Sequence, residues 1–554
     1  MSRRILLVGG TGSFGRRLVD ALIASTDFHI LLAGRNPERA ATIAMDPAQV
    51  GRWSAVRLDR RAVTADQLRE LHVFLVIDAA GPFQASDFTL AHAAIDARLH
   101  YLDLADGRDF VAAFPTLDAA ARAAGVLALT GVSSTPALSN AVLDRLTDGW
   151  QAVDTIDVAI SPGNRAPRGL SVVRAILSYA GRPVCLFQDG RWGSAPGWGL
   201  LTRREMSGIG RRLLSLCETP DLDILPWRFA VRRQVIFRAG LELPILHLGL
   251  SVASLFVRAR LVPSLAPFAA AFRVLADLFI GFGSDRGGMV VMASGLDRAG
   301  MPIEARWSLV AEAGDGPVVP VLPCLAATRA LADGRLDRAG AMACAGVLPL
   351  DWIEAEFRPF RLSSEIVRTA TDDRLFARVL GNRFDSLPGR IRALHSPRGR
   401  TAYAGRADVE GPAGWIGFVI ARLFGFPASG QNVETAVAVE RLGDSERWTR
   451  TFDGRQFVSR LSPAPMAGAV RERFGPLTFD CRVISDARSL SMIVKGWRLG
   501  PLGLPRRLAP HAAGRETIDD QGRFCFDVSI GLPWIGRIVR YHGWLEPVLA
   551  AEVA

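Results

Sequence analysis

A continuous apolar run, residues 4–9 (Arg-Ile-Leu-Leu-Val-Gly), leads directly into Gly10-Thr11-Gly12-Ser13-Phe14-Gly15. Uninterrupted aliphatic residues closed by glycine read as a strand buried on both faces. Residues 14–24, with Leu18, Ala21 and Leu22 at helical spacing, read as the helix that the glycines open. Each glycine then has a physical use. Gly10 permits the tight turn, Gly12 lacks the Cβ that would keep a diphosphate off the backbone, and Gly15 lets helix and strand pack closely. The N–H groups of Thr11, Ser13 and Phe14 belong to the positive end of that helix. A glycine turn in an α/β domain that binds nothing is the competing reading.

The pattern repeats. Strands are expected at 28–33, 54–58, 73–79, 100–104 and 126–130. Helices are expected from Asn36-Pro37-Glu38-Arg39 onward, at 64–71 behind a Thr64 cap, and at 87–98 and 110–124. Strands alternating with helices specify a parallel, doubly wound sheet over residues 1–150.

Beyond residue 150 the rhythm changes to longer alternating strands, at 155–161, 184–189, 289–296 and 303–312, with hairpin signals at Asp189-Gly190 and 297–300. With helices at 168–180 and 319–333, residues 151–365 read as a mixed α+β substrate or dimerisation domain. Residues 240–284 within it are apolar and proline-rich, but Arg258, Arg260, Arg273 and Asp277 interrupt them, so a membrane-crossing helix is not expected. They read either as a buried helical lid or subunit interface, as in a homodimer, or as an interfacial helix touching lipid. Residues 366–386 read as a connection. Residues 387–549 read as a C-terminal α+β domain, with helices at 387–395 and 413–424 and an antiparallel sheet from strands at 401–410, 434–441, 456–461, 480–485, 489–495 and 523–530. Its Trp415, Trp448, Arg450, Trp497, Trp534 and Trp544 suit either a cavity for an amphipathic or acidic ligand or ordinary core packing.

The net charge of +11 points toward nucleic acid only if it is clustered. It is not. Lys495 is the single lysine, and the arginines are dispersed with no run of five. No nucleic-acid partner is expected. Cys185, Cys217, Cys324, Cys344, Cys481 and Cys525 form no CxxC pair, which fits neither a zinc site nor a disulfide framework. No metal is expected. The glycine loop falls where a signal peptide would continue its apolar stretch, so a cytoplasmic, reduced location is expected.

Where strand two ends, a site for NAD places Asp or Glu to receive the ribose hydroxyls. This chain has Gly34-Arg35-Asn36. A guanidinium repels no phosphate and can pair with one bidentately, so Arg35 predicts NADP, unless it merely solvates the strand end. Gly81, Pro82 and Phe83, after strand four, fall where ligands lie in such sheets. Asp59, ending strand three, is either a neighbour of the adenine or an exposed acid.

Glycine-rich starts of this kind also open short-chain dehydrogenases, whose chemistry uses a tyrosine with a lysine four residues on. Here Tyr101, Tyr179, Tyr403 and Tyr541 are followed at that spacing by Ala105, Pro183, Ala407 and Leu545, so that pair is absent. Instead, Gly9–Gly15, Ala33-Gly34-Arg35, Ala80-Gly81-Pro82-Phe83, residues 100–106 (His-Tyr-Leu-Asp-Leu-Ala-Asp) and residues 131–136 (Gly-Val-Ser-Ser-Thr-Pro), with later segments at 283–289 and 340–349, resemble the saccharopine dehydrogenase-like NADP-binding proteins. The resemblance covers residues 1–365. The remainder is similar to an uncharacterised bacterial domain often fused behind such proteins. The resemblance implies a Rossmann-type fold and an oxidoreductase that moves hydride between NADP and a small C=N or C=O substrate. A lysine proton donor is not carried over, because Lys495 lies outside the matching region. Tyr101, Asp103 and Asp106, read as lying in the loop after strand five on the carboxyl edge of the sheet, are the candidate acid–base groups, or else they make loop-stabilising hydrogen bonds. Ser133, Ser134 and Thr135 either position a substrate or cap a helix. A protein that holds NADP without turnover, as a sensor or a lipid-associated binding module, is the alternative.

Overall fold

The computed structural model describes residues 3–38, 51–84, 86–167, 169–370, 374–397, 400–442, 445–500 and 502–548. Beyond Glu38, the stretch expected to be helical from Asn36 onward lies outside the described residues. The chain divides into two compact units, residues 1–370 and 371–554.

The first unit opens with six strands, β1 (Arg4–Val8), β2 (His29–Gly34), β3 (Trp53–Arg57), β4 (Leu75–Asp78), β5 (His100–Asp103) and β6 (Leu127–Thr130). A second group follows: β7 (Ala152–Ser161), β8 (Pro183–Gln188), β9 (Arg191–Pro196), β10 (Thr202–Met206), β11 (Gly210–Leu216), β12 (Gln234–Ala239), β13 (Gly287–Leu296), β14 (Pro302–Ala311), β15 (Gly340–Ala343) and β16 (Leu362–Ala370). The first sheet has the order β15-β6-β5-β4-β1-β2-β3, with every pairing parallel. Alternate residues supply two separate cores, as strands covered on both faces require. Ile5, Leu7, Ile30, Leu32 and Ile77 enter one, while Leu6, Val8, Leu31, Ala33 and Val76 enter the other. Thr64 caps its helix as expected: its hydroxyl accepts from the Gln67 N–H while the Gln67 side chain accepts from the Thr64 N–H. The expected helix at 110–124 is broken at Phe114–Leu117, where Pro115 has no N–H to continue it.

The second sheet is mixed, in the order β10-β11-β12-β7-β13-β14-β16. Only β12 and β7 run parallel. β16 overlaps the stretch read as a connection, which is therefore strand up to Ala370. The Asp189-Gly190 turn joins β8 to β9 with both residues at positive φ. Residues 240–284 form helices Pro244–Arg258 and Ala269–Leu278. Among the described residues, no helix is long and apolar enough to cross a membrane.

The second unit contains β17 (Arg400–Glu410), β18 (Gly430–Leu442), β19 (Ser445–Phe452), β20 (Arg455–Pro463), β21 (Ala469–Phe474), β22 (Leu477–Ser485), β23 (Leu490–Leu499), β24 (Leu502–Gly503), β25 (His511–Ile518), β26 (Phe524–Leu532) and β27 (Gly536–Pro547). They pair antiparallel in the order β22-β21-β20-β19-β18-β17-β27-β26-β25-β23-β24, and β22 also pairs with β23. That last pairing closes ten strands into a barrel. Alternation along each strand turns one set of residues inward, as with Trp448, Arg450 and Phe452 of β19.

Candidate functional site

The order of the first sheet reverses direction between β1 and β4, and the carboxyl ends of the strands open there onto a cleft of about 700 Å3. Gly9, Gly10 and Thr11 from the end of β1, Arg35 after β2, Asp59 after β3, and Gly81 and Pro82 after β4 all line it. The glycines are sterically fixed. A Cβ on Gly9, whose φ is +82°, would fall 2.7 Å from the Ala80 Cα, and one on Gly15 would fall 2.2 Å from the Gly9 carbonyl oxygen. The Gly12 N–H donates to the Gly9 carbonyl at 2.9 Å, closing the turn. Thr11, Gly12 and Ser13 stand exposed at the tip, and the helix Ser13–Ser25 has no acidic residue in its first turn. A buried Gly15 and an exposed loop tip are the geometry an anion needs at a helix start.

Two residues missed in the sequence complete the cleft. Arg60 pairs with buried Asp78 at 3.1 Å and also bonds the Ala80 carbonyl and, at 3.1 Å, the Ser86 hydroxyl. It ties the loop after β3 to the loop after β4. Burial raises the Asp78 carboxyl, and Arg60 pulls it back down. Arg61 shares this lining with Arg35, Arg60 and Asp59. Asp59 accepts the Arg61 N–H at 3.1 Å. Phe83 is a wall rather than a contact: it is buried against Phe110, with Arg60 over its ring at 5.5 Å. No motif announces Arg60 and Arg61; only their position just past a strand end marks them.

The three candidate acid–base groups part company. Tyr101 is 1% exposed, stacked on Phe114, and its phenol is held well above its usual pKa by burial and then by Asp103. Asp103 is fully buried. One of its carboxylate oxygens accepts from the N–H of Ala105, the Thr130 hydroxyl and the N–H of Gly131, at 2.9, 2.9 and 2.8 Å. Burial lifts its pKa to about 7 against those three bonds. Both are core groups that brace the loops after β5 and β6. Asp106 differs: it reaches solvent, yet protein encloses it enough for desolvation to raise its pKa, and Gln84 donates to it at 3.3 Å.

Across from Asp106, the Tyr179 hydroxyl donates to the Cys217 sulfur at 3.0 Å. Burial, then neighbouring charge that includes Asp106, pushes the Tyr179 phenol well up; burial chiefly raises the Cys217 thiol to about 12. Ser13 and Phe14 line a second cavity, about 240 Å3, together with Ser134, Ile160, Met289 and Pro320. The two cavities thus flank the glycine loop, one charged and one apolar. Ser133 is taken up by the Pro320 carbonyl at 2.9 Å. Among the described residues, no group of His, Cys, Asp and Glu is placed to hold a metal.

Residues 5–141 match the family described as the saccharopine dehydrogenase NADP binding domain, and residues 387–545 match DUF4166, a domain of unknown function. No protein of curated description matches the chain. Among solved structures the chain is similar to apo saccharopine dehydrogenase (L-Glu forming) from Saccharomyces cerevisiae, with 14% identity over 66% of this chain and 100% of that one, at a TM-score of 0.48. It is also similar to GenD2 from gentamicin A biosynthesis in complex with NAD (15% identity, 53% of this chain and 70% of that one, TM-score 0.27) and to a dehydrogenase from Chromobacterium violaceum (14%, 56% and 76%, TM-score 0.28). The amino-terminal segment is an NADP-binding domain of the saccharopine dehydrogenase type, a domain of oxidoreductases, and the carboxy-terminal segment is a DUF4166 domain.

Proposed function

We propose that the chain catalyses hydride transfer between NADP and a small C=N or C=O substrate, with residues 1–150 holding the cofactor and 151–365 walling the substrate. The observation that carries the cofactor half is the placement of Arg35 and Arg61 on one lining with the glycine loop. In this reading the N–H groups of Thr11, Ser13 and Phe14 receive the diphosphate, and the two guanidinium groups clasp the phosphate on the adenosine ribose. NADPH supplies the hydride when bound. Asp106 is the proton donor: desolvation keeps its carboxyl protonated to higher pH, and its proton passes to the substrate nitrogen or oxygen as the adjoining carbon is reduced. Ser134 stands over the apolar cavity that receives the substrate's carbon skeleton.

The test is a titration with NADPH and NADH, followed by turnover of NADPH with a panel of imines and ketones. Asp106→Asn should keep NADPH affinity and lose turnover. Turnover equal to the parent would remove Asp106 from the chemistry. Bound NADPH with no turnover on any substrate would favour a cofactor-holding sensor.

A second reading concerns residues 240–284. Ile245, Leu248, Val252, Leu255 and Phe256 are 62, 44, 57, 50 and 50% exposed and fall on one side of helix Pro244–Arg258. An apolar stripe of that length with arginines at its end suits a peripheral contact with an anionic bilayer. Flotation with anionic vesicles that is lost on replacing Leu248, Val252 and Leu255 by serine supports it. A dimer that dissociates in the same variant assigns the stripe to a second copy instead.

A further inference from the structure

The lumen of the closed barrel is finished differently at its two ends. At one end Phe376 and Leu380 of the helix Leu375–Leu380, Ile391 of the helix Gly389–Leu394, and Phe384 between them share one buried cluster with inward-facing Trp448 and Leu490. At the other end Phe424, Phe474, Phe479, Met492, Ile530 and Tyr541 surround a cavity of about 240 Å3. Folded interiors leave few voids larger than a water molecule, because an unfilled space forfeits the dispersion contacts of its lining. Eight strands already enclose room for one small ligand; ten enclose more.

Two charged groups on the lining, Arg450 of β19 and Glu472 of β21, are joined through the intervening strand β20. Arg450 of β19 donates to the Ser459 hydroxyl of β20 at 2.8 Å, that hydroxyl donates to Glu472 of β21 at 2.7 Å, and Arg450 and Glu472 pair at 3.4 Å. The guanidinium also lies over the Trp448 and Phe457 rings, at 5.1 and 5.6 Å. One positive and one negative group cancel, so this rung offers hydrogen bonds without net charge. A free acid set there would meet the Glu472 carboxylate; an alcohol or carbonyl would not.

The mouth is covered by the helix Trp415–Leu423. Ile420, with Phe424 just beyond it, lines the cavity, while Trp415, Phe418 and Leu423 face outward, 77, 60 and 80% exposed. A lid that is apolar on both sides gives a water-insoluble molecule a continuous path between a bilayer and the lumen.

We propose that the barrel binds one lipid-class molecule, an acyl or isoprenoid chain ending in a neutral hydroxyl or carbonyl, with its chain among the phenylalanines and its polar end on the paired Arg450 and Glu472. The site owes nothing to the nucleotide cleft, so the two assignments stand or fall separately. The full chain is titrated with the apolar fluorophore N-phenyl-1-naphthylamine, with dodecanol and dodecanoate as competitors. One saturable site per chain is expected, emptied by dodecanol at lower concentration than by dodecanoate. Ala512→Phe, which projects a ring into the cavity from β25, should weaken the probe by about tenfold or more through overpacking, with NADPH binding unchanged. Gly514→Leu, on the same strand and lining, repeats the test should the first variant melt early. Absence of a saturable site in the parent chain overturns the proposal, as does unaltered binding in a filled, folded variant. Stronger competition by dodecanoate would overturn the neutral end group.

Discussion

The nucleotide cleft and the barrel lumen are both made by strands, but from different parts of them. The cleft uses strand ends, where Gly9–Thr11 line it and Arg35, Arg60 and Arg61 come from successive loops. The lumen uses strand faces, where inward residues such as Phe474, Phe479 and Ile530 alternate with outward ones. Strand ends leave N–H groups and flexible charged side chains to meet a ligand, so the cleft is polar. Strand faces have spent their N–H and C=O groups on the ladder, so only side chains meet a ligand and the lumen is apolar.

The largest effect that separates the two sites is expected from Gly15→Ala. The new Cβ would lie 2.2 Å from the Gly9 carbonyl oxygen and 3.0 Å from the Gly10 Cα, both backbone atoms, so the loop itself must move. NADPH affinity should fall by about a hundredfold or more, roughly 3 kcal/mol, while the barrel fluorophore titrates as before. Equal loss at both sites would mean that the two units do not function independently.

The same contrast explains what could be read in advance. The cleft was legible because strand ends are contiguous in sequence: Gly9–Gly15, Arg35 and Gly81-Pro82 each sit immediately after a run that reads as a strand. Arg60 and Arg61 were not singled out, because an arginine past a strand end looks like any solvated charge in an arginine-rich chain. Tyr101 and Asp103 sit differently from the loop position expected of them. They lie within β5 itself, so both are sealed in the sheet, and only Asp106, three residues beyond, emerges. β15 was invisible because four residues carry no periodicity of their own; they become a strand only by pairing with β6 from over two hundred residues away. In the barrel, β19, β21, β25 and β27 were missed for lack of clean alternation. β19 carries Arg450 inward among aromatics, and β21 reads Ala-Val-Arg-Glu-Arg-Phe, with Glu472 facing the lumen. These inward charges hid both the strands and the polar rung they build.

Next in size is Arg35→Asp, which replaces a phosphate partner with a repelling carboxylate. A charge-assisted hydrogen bond contributes about 1.5–3 kcal/mol, so NADPH should bind roughly ten- to a hundredfold more weakly while NADH gains. Arg61→Ala should show part of the same loss. NADPH affinity unchanged in both variants would remove the ribose phosphate from this end of the cleft.

Individual carboxylates in the two units should also answer pH in opposite senses. Asp103, lifted to about 7 chiefly by burial, and Asp221, lifted to about 6 by the same cause, hold protons more tightly folded than unfolded. Their contribution to stability is complete below the ordinary carboxylate range and is lost as pH rises toward 7. Asp527 in the barrel is held below its usual value by the hydrogen bond from Arg540, so its contribution is present near neutrality and is lost only in acid. Melting of the amino-terminal unit should therefore drop between about pH 4 and pH 7 by a few degrees, and Asp103→Asn, which keeps an oxygen for the three donors, should flatten that drop. A drop of the same slope in the variant would assign it elsewhere.

Salt should give the smallest separation. Arg35 and Arg61 are exposed, and charges in water are screened over about 8 Å at physiological ionic strength and about 3 Å at 1 M. Raising salt across that range should weaken NADPH several-fold and NADH less, because only the former presents a phosphate to the arginine pair. The barrel site carries no net charge to screen, since Arg450 and Glu472 neutralise one another in the lumen. The fluorophore's affinity should stay level or rise slightly, as salt favours apolar burial. If the two nucleotides weakened in parallel, the discrimination by Arg35 would not be electrostatic.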